Sequence, residues 1–285
     1  MKNVINSTIL GLVLFLCLLI TSNSHASGVL LDNAILTKSF EAVGAQGTAR
    51  GIVFDGESYF AIWGTEDDPI VQYDADGNYV TKAYPMYPNY MYSGMASIVQ
   101  HGDDLFVLGD VSNWSPTLIH QVNKSNLVEM PTIGTVGFKI PFPVAATFQL
   151  QGDTLYARNF LNIFVLDWPS GNYVDEFTLD TTLRSDGWPD GITLALADDY
   201  ILIQKGDTVQ AFDFTGNMVG ECTGIPGHGI PSFSFSYTDD LLWMNSGGEW
   251  KGYDIGLNPV PIPGAVWLLG SGLLGLIGIR RKNAV

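Results

Sequence analysis

The sequence predicts an all-β protein whose main domain is a β-propeller of about five four-stranded blades. Two repeated segments and their spacing carry that reading. A turn leading into an apolar strand recurs at Asp55-Gly-Glu-Ser-Tyr-Phe-Ala, Gly102-Asp-Asp-Leu-Phe-Val, Gly152-Asp-Thr-Leu-Tyr-Ala, Ala197-Asp-Asp-Tyr-Ile-Leu and Thr238-Asp-Asp-Leu-Leu-Trp. A strand ending in a turn follows each of them, anchored at Asp74, Asn123, Asp167, Asp213 and Asp254. The anchors stand 49, 44, 46 and 41 residues apart, the length of one propeller blade.

The local chemistry agrees. Asp-Gly and Gly-Asn pairs supply the positive φ that tight hairpins demand. Runs such as Ile201-Leu-Ile203 and Leu241-Leu-Trp243 are continuously apolar, as expected of strands covered on both faces by neighbouring blades. No helix of two or more turns is predicted in the mature domain. The fifth unit ends at Asp254-Ile-Gly256 without a fourth strand. Leu31 to Phe40 parallels Asp74 to Tyr84, so Ile35 to Phe40 is expected to supply the missing strand and close the ring. A sixth, partial blade and a β-sandwich are the alternative architectures.

Both ends of the chain read as processing segments. Lys2, an apolar run from Ile9 to Ile20 and Ser24-His-Ala26 make a secretory signal peptide over residues 1–26, cut after Ala26. Phe15-Leu16 before Cys17 do not suit lipidation there, so Cys222 is the only cysteine of the mature chain. The domain of residues 27–258 therefore relies on core burial, without an internal disulfide. In the last segment, 259–285, Ile262 to Ile279 is uncharged and Arg280-Arg-Lys282 closes it. A helix of that length nearly spans a hydrocarbon core, with Arg280, Arg281 and Lys282 as a cytoplasmic stop.

The order Val260-Pro261-Ile262-Pro263, then an apolar Gly-rich run, then Arg-Arg-Lys resembles the sorting signal of the PEP-CTERM family, Val-Pro-Leu-Pro-Ala type. Ile262 stands where that type usually has Leu, and Gly264 where it has Ala. The resemblance implies a single transmembrane sorting tail with Val260 to Pro263 as recognition motif. It also implies cleavage by an exosortase, a Gram-negative host that makes exopolysaccharide, and a precursor held transiently in the inner membrane. The product would then reach the cell surface or extracellular matrix. An ordinary C-terminal membrane anchor is the alternative.

All 29 Asp and Glu lie in the ectodomain against nine Lys and Arg, a net of about −20. Such a surface disfavours nucleic acid and suits neutral or cation-bridged polysaccharide. If each blade runs from an inner strand A to an outer strand D, the A–B and C–D hairpins share one face. Longer B–C and D–A connections share the other, where function is expected. That face is expected to collect Glu66, Tyr84 to Tyr92, Asp110 to Trp114, Arg158, Asn159, Arg184 to Asp190 and the loop around His228. Tyr84, Tyr87 and Tyr90 would align on one side of a polyproline-like segment. With Trp114, Trp188 and Asp186 they form the candidate ligand face, since aromatic rings are platforms for sugars. Packing of these rings at the blade crossover is the competing reading.

Asp74-Ala-Asp76-Gly77-Asn78 has the start of a calcium loop but lacks its downstream bidentate Glu, and reads as a hairpin turn. Neither a cofactor nor a metal is expected, nor a catalytic set: there is no G-x-S-x-G, and Cys222 has no identifiable base. The function read here is non-enzymatic, binding exopolysaccharide or matrix proteins in a biofilm. The alternative is a periplasmic or surface hydrolase or lyase acting on a sugar or lactone through loop carboxylates.

Overall fold

Among the described residues of the computed structural model, twenty strands form five antiparallel four-stranded sheets. It describes residues 30, 33–43, 49–63, 69–84, 95–109, 117–136, 147–182, 193–197, 199–226 and 234–257. Blade 1 holds β2 (Ala49–Phe54), β3 (Ser58–Trp63), β4 (Ile70–Asp74) and β5 (Tyr79–Ala83). Blade 2 holds β6 (Met95–His101), β7 (Asp104–Gly109), β8 (Thr117–Asn123) and β9 (Val128–Val136). Blade 3 holds β10 (Thr147–Gln151), β11 (Thr154–Asn159), β12 (Asn162–Asp167) and β13 (Tyr173–Thr178). Blade 4 holds β14 (Ala195–Ala197), β15 (Tyr200–Lys205), β16 (Thr208–Phe212) and β17 (Met218–Cys222). Blade 5 holds β18 (Phe235–Thr238), β19 (Leu241–Ser246), β20 (Glu249–Asp254) and, from the N-terminus, β1 (Ile35–Glu41). The inner strands β2, β6, β10, β14 and β18 adjoin one another in a closed circle. The domain is a five-bladed β-propeller.

Burial follows the expected pattern. Ile201, Leu202 and Ile203, and likewise Leu241, Leu242 and Trp243, are buried throughout, because blades cover both faces of each middle strand. The inner strands would otherwise leave backbone donors unmet between blades, and hydroxyls fill part of that need. Ser236 of blade 5 accepts from the Ile52 amide of blade 1, and Ser97 of blade 2 accepts from the Phe148 amide of blade 3 at 2.8 Å.

The ring closes where the sequence placed the closure. β1 runs antiparallel to β20, with Ile35 opposite Asp254 and Phe40 opposite Trp250. The alignment that suggested it is one residue out. Lys38 lies opposite Gly252 and Thr81 opposite Gln72, so Phe40 takes the place of Ala83, not of Tyr84. A one-residue shift exchanges the faces of a strand: Phe40 is buried and Tyr84 exposed. Upstream, Leu30 is buried between blades 4 and 5, and Asn33 bridges to Thr223.

Successive outer strands hand over around the circumference. A Cβ on Gly77, in the C–D turn of blade 1, would lie 2.4 Å from the ring of Phe40 at the end of the preceding outer strand. One on Gly216 would lie 2.3 Å from the Thr178 carbonyl oxygen. Both turns also need positive φ, so Gly meets two requirements at once.

No helix among the described residues is long and apolar enough to cross a membrane. The predicted signal peptide with Ala26, and the tail from Val260 to Lys282, lie outside the described residues.

Candidate functional site

Strand order puts the A–B and C–D hairpins on one face and the B–C and D–A connections on the other, as expected. The lengths differ from expectation. In blades 3, 4 and 5 the B–C connection is only Phe160-Leu161, Gly206-Asp207 or Gly247-Gly248. Long B–C connections belong to blades 1 and 2 alone, after Trp63 and after Gly109. The D–A connection that follows Ala83 lies between those same two blades. In chain order, Tyr84, Tyr87 and Tyr90 fall in the connection from blade 1 to blade 2, and Trp114 in the B–C connection of blade 2. Asp186 and Trp188 belong to the crossover from blade 3 to blade 4. Of these six, Tyr84 is described and the others lie outside the described residues, as do Glu66, Asp110 and His228.

Tyr84 follows β5 directly and is 54% exposed, with Lys82 Nζ 5.4 Å from its ring centroid. More than half of its surface is thus open to water. A cation beside an exposed ring leaves one apolar surface and a polar rim, the chemistry that accommodates a sugar ring.

Arg158 corrects the expectation that it lies on an exposed loop. It is fully buried, because Phe160-Leu161 is a tight turn and β11 runs up to Asn159. Its Nε donates to the Phe160 carbonyl at 2.8 Å, and its terminal nitrogen donates to the Thr193 carbonyl at 2.5 Å. Arg158 thereby ties the blade 3 turn to the start of blade 4. Thr193 in turn accepts from the Gln204 amide at 2.8 Å, and Ser234 accepts from the Asn245 amide at 2.9 Å. These hydroxyls stiffen the ends of the inner strands beneath the connection face.

The aromatic Phe160 escaped the sequence reading altogether. It sits at the tip of the blade 3 turn with φ 55 and is 45% exposed. Neither residue of the turn itself is a turn former, although Asn159 and Asn162 bound it.

The opposite face is built for structure. Lys38 of the closing strand donates to the Tyr59 hydroxyl at 2.9 Å, and Tyr59 donates to the Asp239 carboxylate. Burial, then the Asp239 carboxylate, pushes the Tyr59 hydroxyl well above the usual phenol range. Asp55 meets Lys124 at 2.8 Å across blades 1 and 2. Burial alone would raise the Asp55 carboxyl, but Lys124 and the Ser58 and Glu57 amides outweigh it and bring it below its ordinary value. Asp74 is occupied by its own turn, accepting from the Asp76 and Asn78 amides at 3.0 and 2.8 Å. The hairpin reading of that segment therefore holds. His101 lies 2.9 Å from Asp153, and Cys222 is buried. Among the described residues, no three His, Cys, Asp or Glu gather so as to hold a metal ion.

No protein-family model matches the chain, and no curated protein does. Among solved structures it is similar to that of U3-55K, at 13% identity over 74% of this chain and 78% of that one, with a TM-score of 0.45. It is also similar to the RRP9 WD40 repeats, at 12% identity over 76% and 79% of the two chains, with a TM-score of 0.43. Likeness at this level says nothing of what the chain binds.

Proposed function

We propose that this chain is an exported protein whose tail is recognised at Val260 to Pro263 and cut by an exosortase. The released propeller then acts at the cell surface or in the exopolysaccharide matrix as a non-enzymatic binding scaffold. A closed propeller suits such a role, since it holds long connections on one rigid face. The observation that carries the reading is that the described strands already complete five four-stranded sheets by Asp254. The last strand ends at Asp254, Ile255 is buried and Leu257 is partly so, three residues before Val260. Cleavage after the motif would leave every described strand and core residue in place, as a disposable anchor requires.

The test is the intact mass of the native protein in each cell fraction. A species lacking the residues after about Pro263, found outside the inner membrane, is the expected result. A full tail retained in the inner membrane would make the chain a tethered periplasmic propeller, and the matrix role would fall.

A further inference from the structure

We infer that Phe160 is a ligand-contacting residue of the connection face, an aromatic platform for a neutral sugar ring. The inference deepens the binding role proposed above and rests on it. The protein itself supplies the comparison. The blade 4 and blade 5 turns at the same place use Gly206, at φ 64, and Gly247, at φ 66. Blade 3 puts a bulky aromatic there at φ 55. That backbone conformation is a genuine outlier for such a side chain, and residues of this kind persist only where the surroundings over-determine them.

The surroundings do so here. Arg158, fully buried, donates to the Phe160 carbonyl at 2.8 Å, and the Leu179 amide donates to the Leu161 carbonyl at 2.8 Å. The turn is thus held from both sides by two buried residues, Arg158 and Leu179. Packing does not explain the ring in the way it explains another non-Gly residue of positive φ. Leu127, at φ 56, is completely buried in the core between blades 1 and 2. Phe160 leaves 45% of its surface to water. Where a sequence breaks a local rule that its own repeats obey, and the residue faces outward on a rigid base, function is the expected reason.

The chemistry favours a carbohydrate. Asn159 and Asn162 bound the turn in sequence, and Asn162 is exposed, its side-chain oxygen accepting from the Thr178 hydroxyl at 3.0 Å. An exposed apolar ring on a turn that also carries an exposed amide side chain suits the apolar face and hydroxyls of a sugar. The strongly acidic ectodomain disfavours an anionic polymer.

The test is a single substitution that removes the ring and keeps the turn. Phe160→Asn suits positive φ, so the variant should unfold at the same or a higher urea concentration than wild type. Affinity electrophoresis of the full chain through gels containing dextran, soluble cellulose oligosaccharides or a galactan reads the binding. At least one polysaccharide should retard wild type, and the variant should lose that retardation several-fold. Equal retardation of the two proteins would overturn the assignment of Phe160 while leaving the scaffold reading intact. Loss of stability in the variant would make the ring structural and overturn the inference. Wild type passing unretarded through every gel would remove the carbohydrate reading itself, and a protein ligand would then take its place.

Discussion

Tyr59 donates its hydroxyl hydrogen to the Asp239 carboxylate across the joint between blades 1 and 5. Lys38 of the closing strand donates to the same hydroxyl oxygen, so one phenol links three separate parts of the chain. Tyr59→Phe keeps the ring but removes both hydrogen bonds while Lys38 and Asp239 still face each other at 4.0 Å, and should lower the unfolding free energy by about 1 kcal/mol in urea titrations at neutral pH. The folded pKa lies above the unfolded one, so this contribution is complete below about pH 10 and is lost as the pH rises beyond it. The variant should therefore show a shallower alkaline fall in stability than wild type.

Phe40 is the apolar half of the same lock. Its ring centroid lies 5.4 Å from Tyr59, 4.9 Å from Tyr73 and 5.3 Å from Trp243, which joins the N-terminal strand to blades 1 and 5. Phe40→Ala should cost about 3–5 kcal/mol, the usual loss for a large buried ring. Hydrogen exchange should then rise first in β1 and β20, because β1 pairs with β20 and Phe40 is the side chain that packs β1 against blade 1. Uniform loss of protection across all five blades would instead mean that the ring unfolds as one unit.

Much of this architecture was legible because repeats expose it. The spacing of Asp74, Asn123, Asp167, Asp213 and Asp254 counts the blades, and the missing fourth strand after Asp254 points to Ile35 to Phe40. What escaped is what repeats do not carry. Asp239 reads as an ordinary turn residue, yet it takes a positive φ of 54° and also holds Tyr59, a contact between residues 180 apart in sequence. Phe160-Leu161 contains neither Gly, Asn nor Pro, so the tight turn there is silent and Arg158 reads as exposed. The Thr-Lys pairs at 37–38 and 81–82 suggest one alignment of β1 with β5, but each strand carries a bulge residue at the same place, Thr37 and Val80, and this sets Lys38 level with Thr81.

The turn glycines separate two costs. Gly216 has φ 90 and a neighbouring carbonyl oxygen 2.3 Å from the Cβ it lacks, whereas Gly56 has φ 97 and open space. Gly56→Ala should cost about 1 kcal/mol, from the backbone conformation alone. Gly216→Ala adds displacement of the Thr178 backbone and should cost distinctly more. Comparable urea midpoints for the two variants would show that the outer strands are not held at that contact.

Asp213 offers the acid-side counterpart. Burial alone would raise its carboxyl, but the Thr215 hydroxyl, the Asn217 amide and side chain and the Thr215 amide outweigh it and hold the pKa at about 2. The unfolded value is about 3.9, so the folded carboxyl binds protons less readily. Its contribution is present above about pH 4 and is lost as the pH falls through the folded value. The group is largely in contact with water, so the effect is modest and salt weakens it. Asp213→Ala should narrow the stability difference between neutral pH and pH values near 2, measured by urea unfolding at low ionic strength. An unchanged acid slope in the variant would mean that the turn opens before the carboxyl titrates.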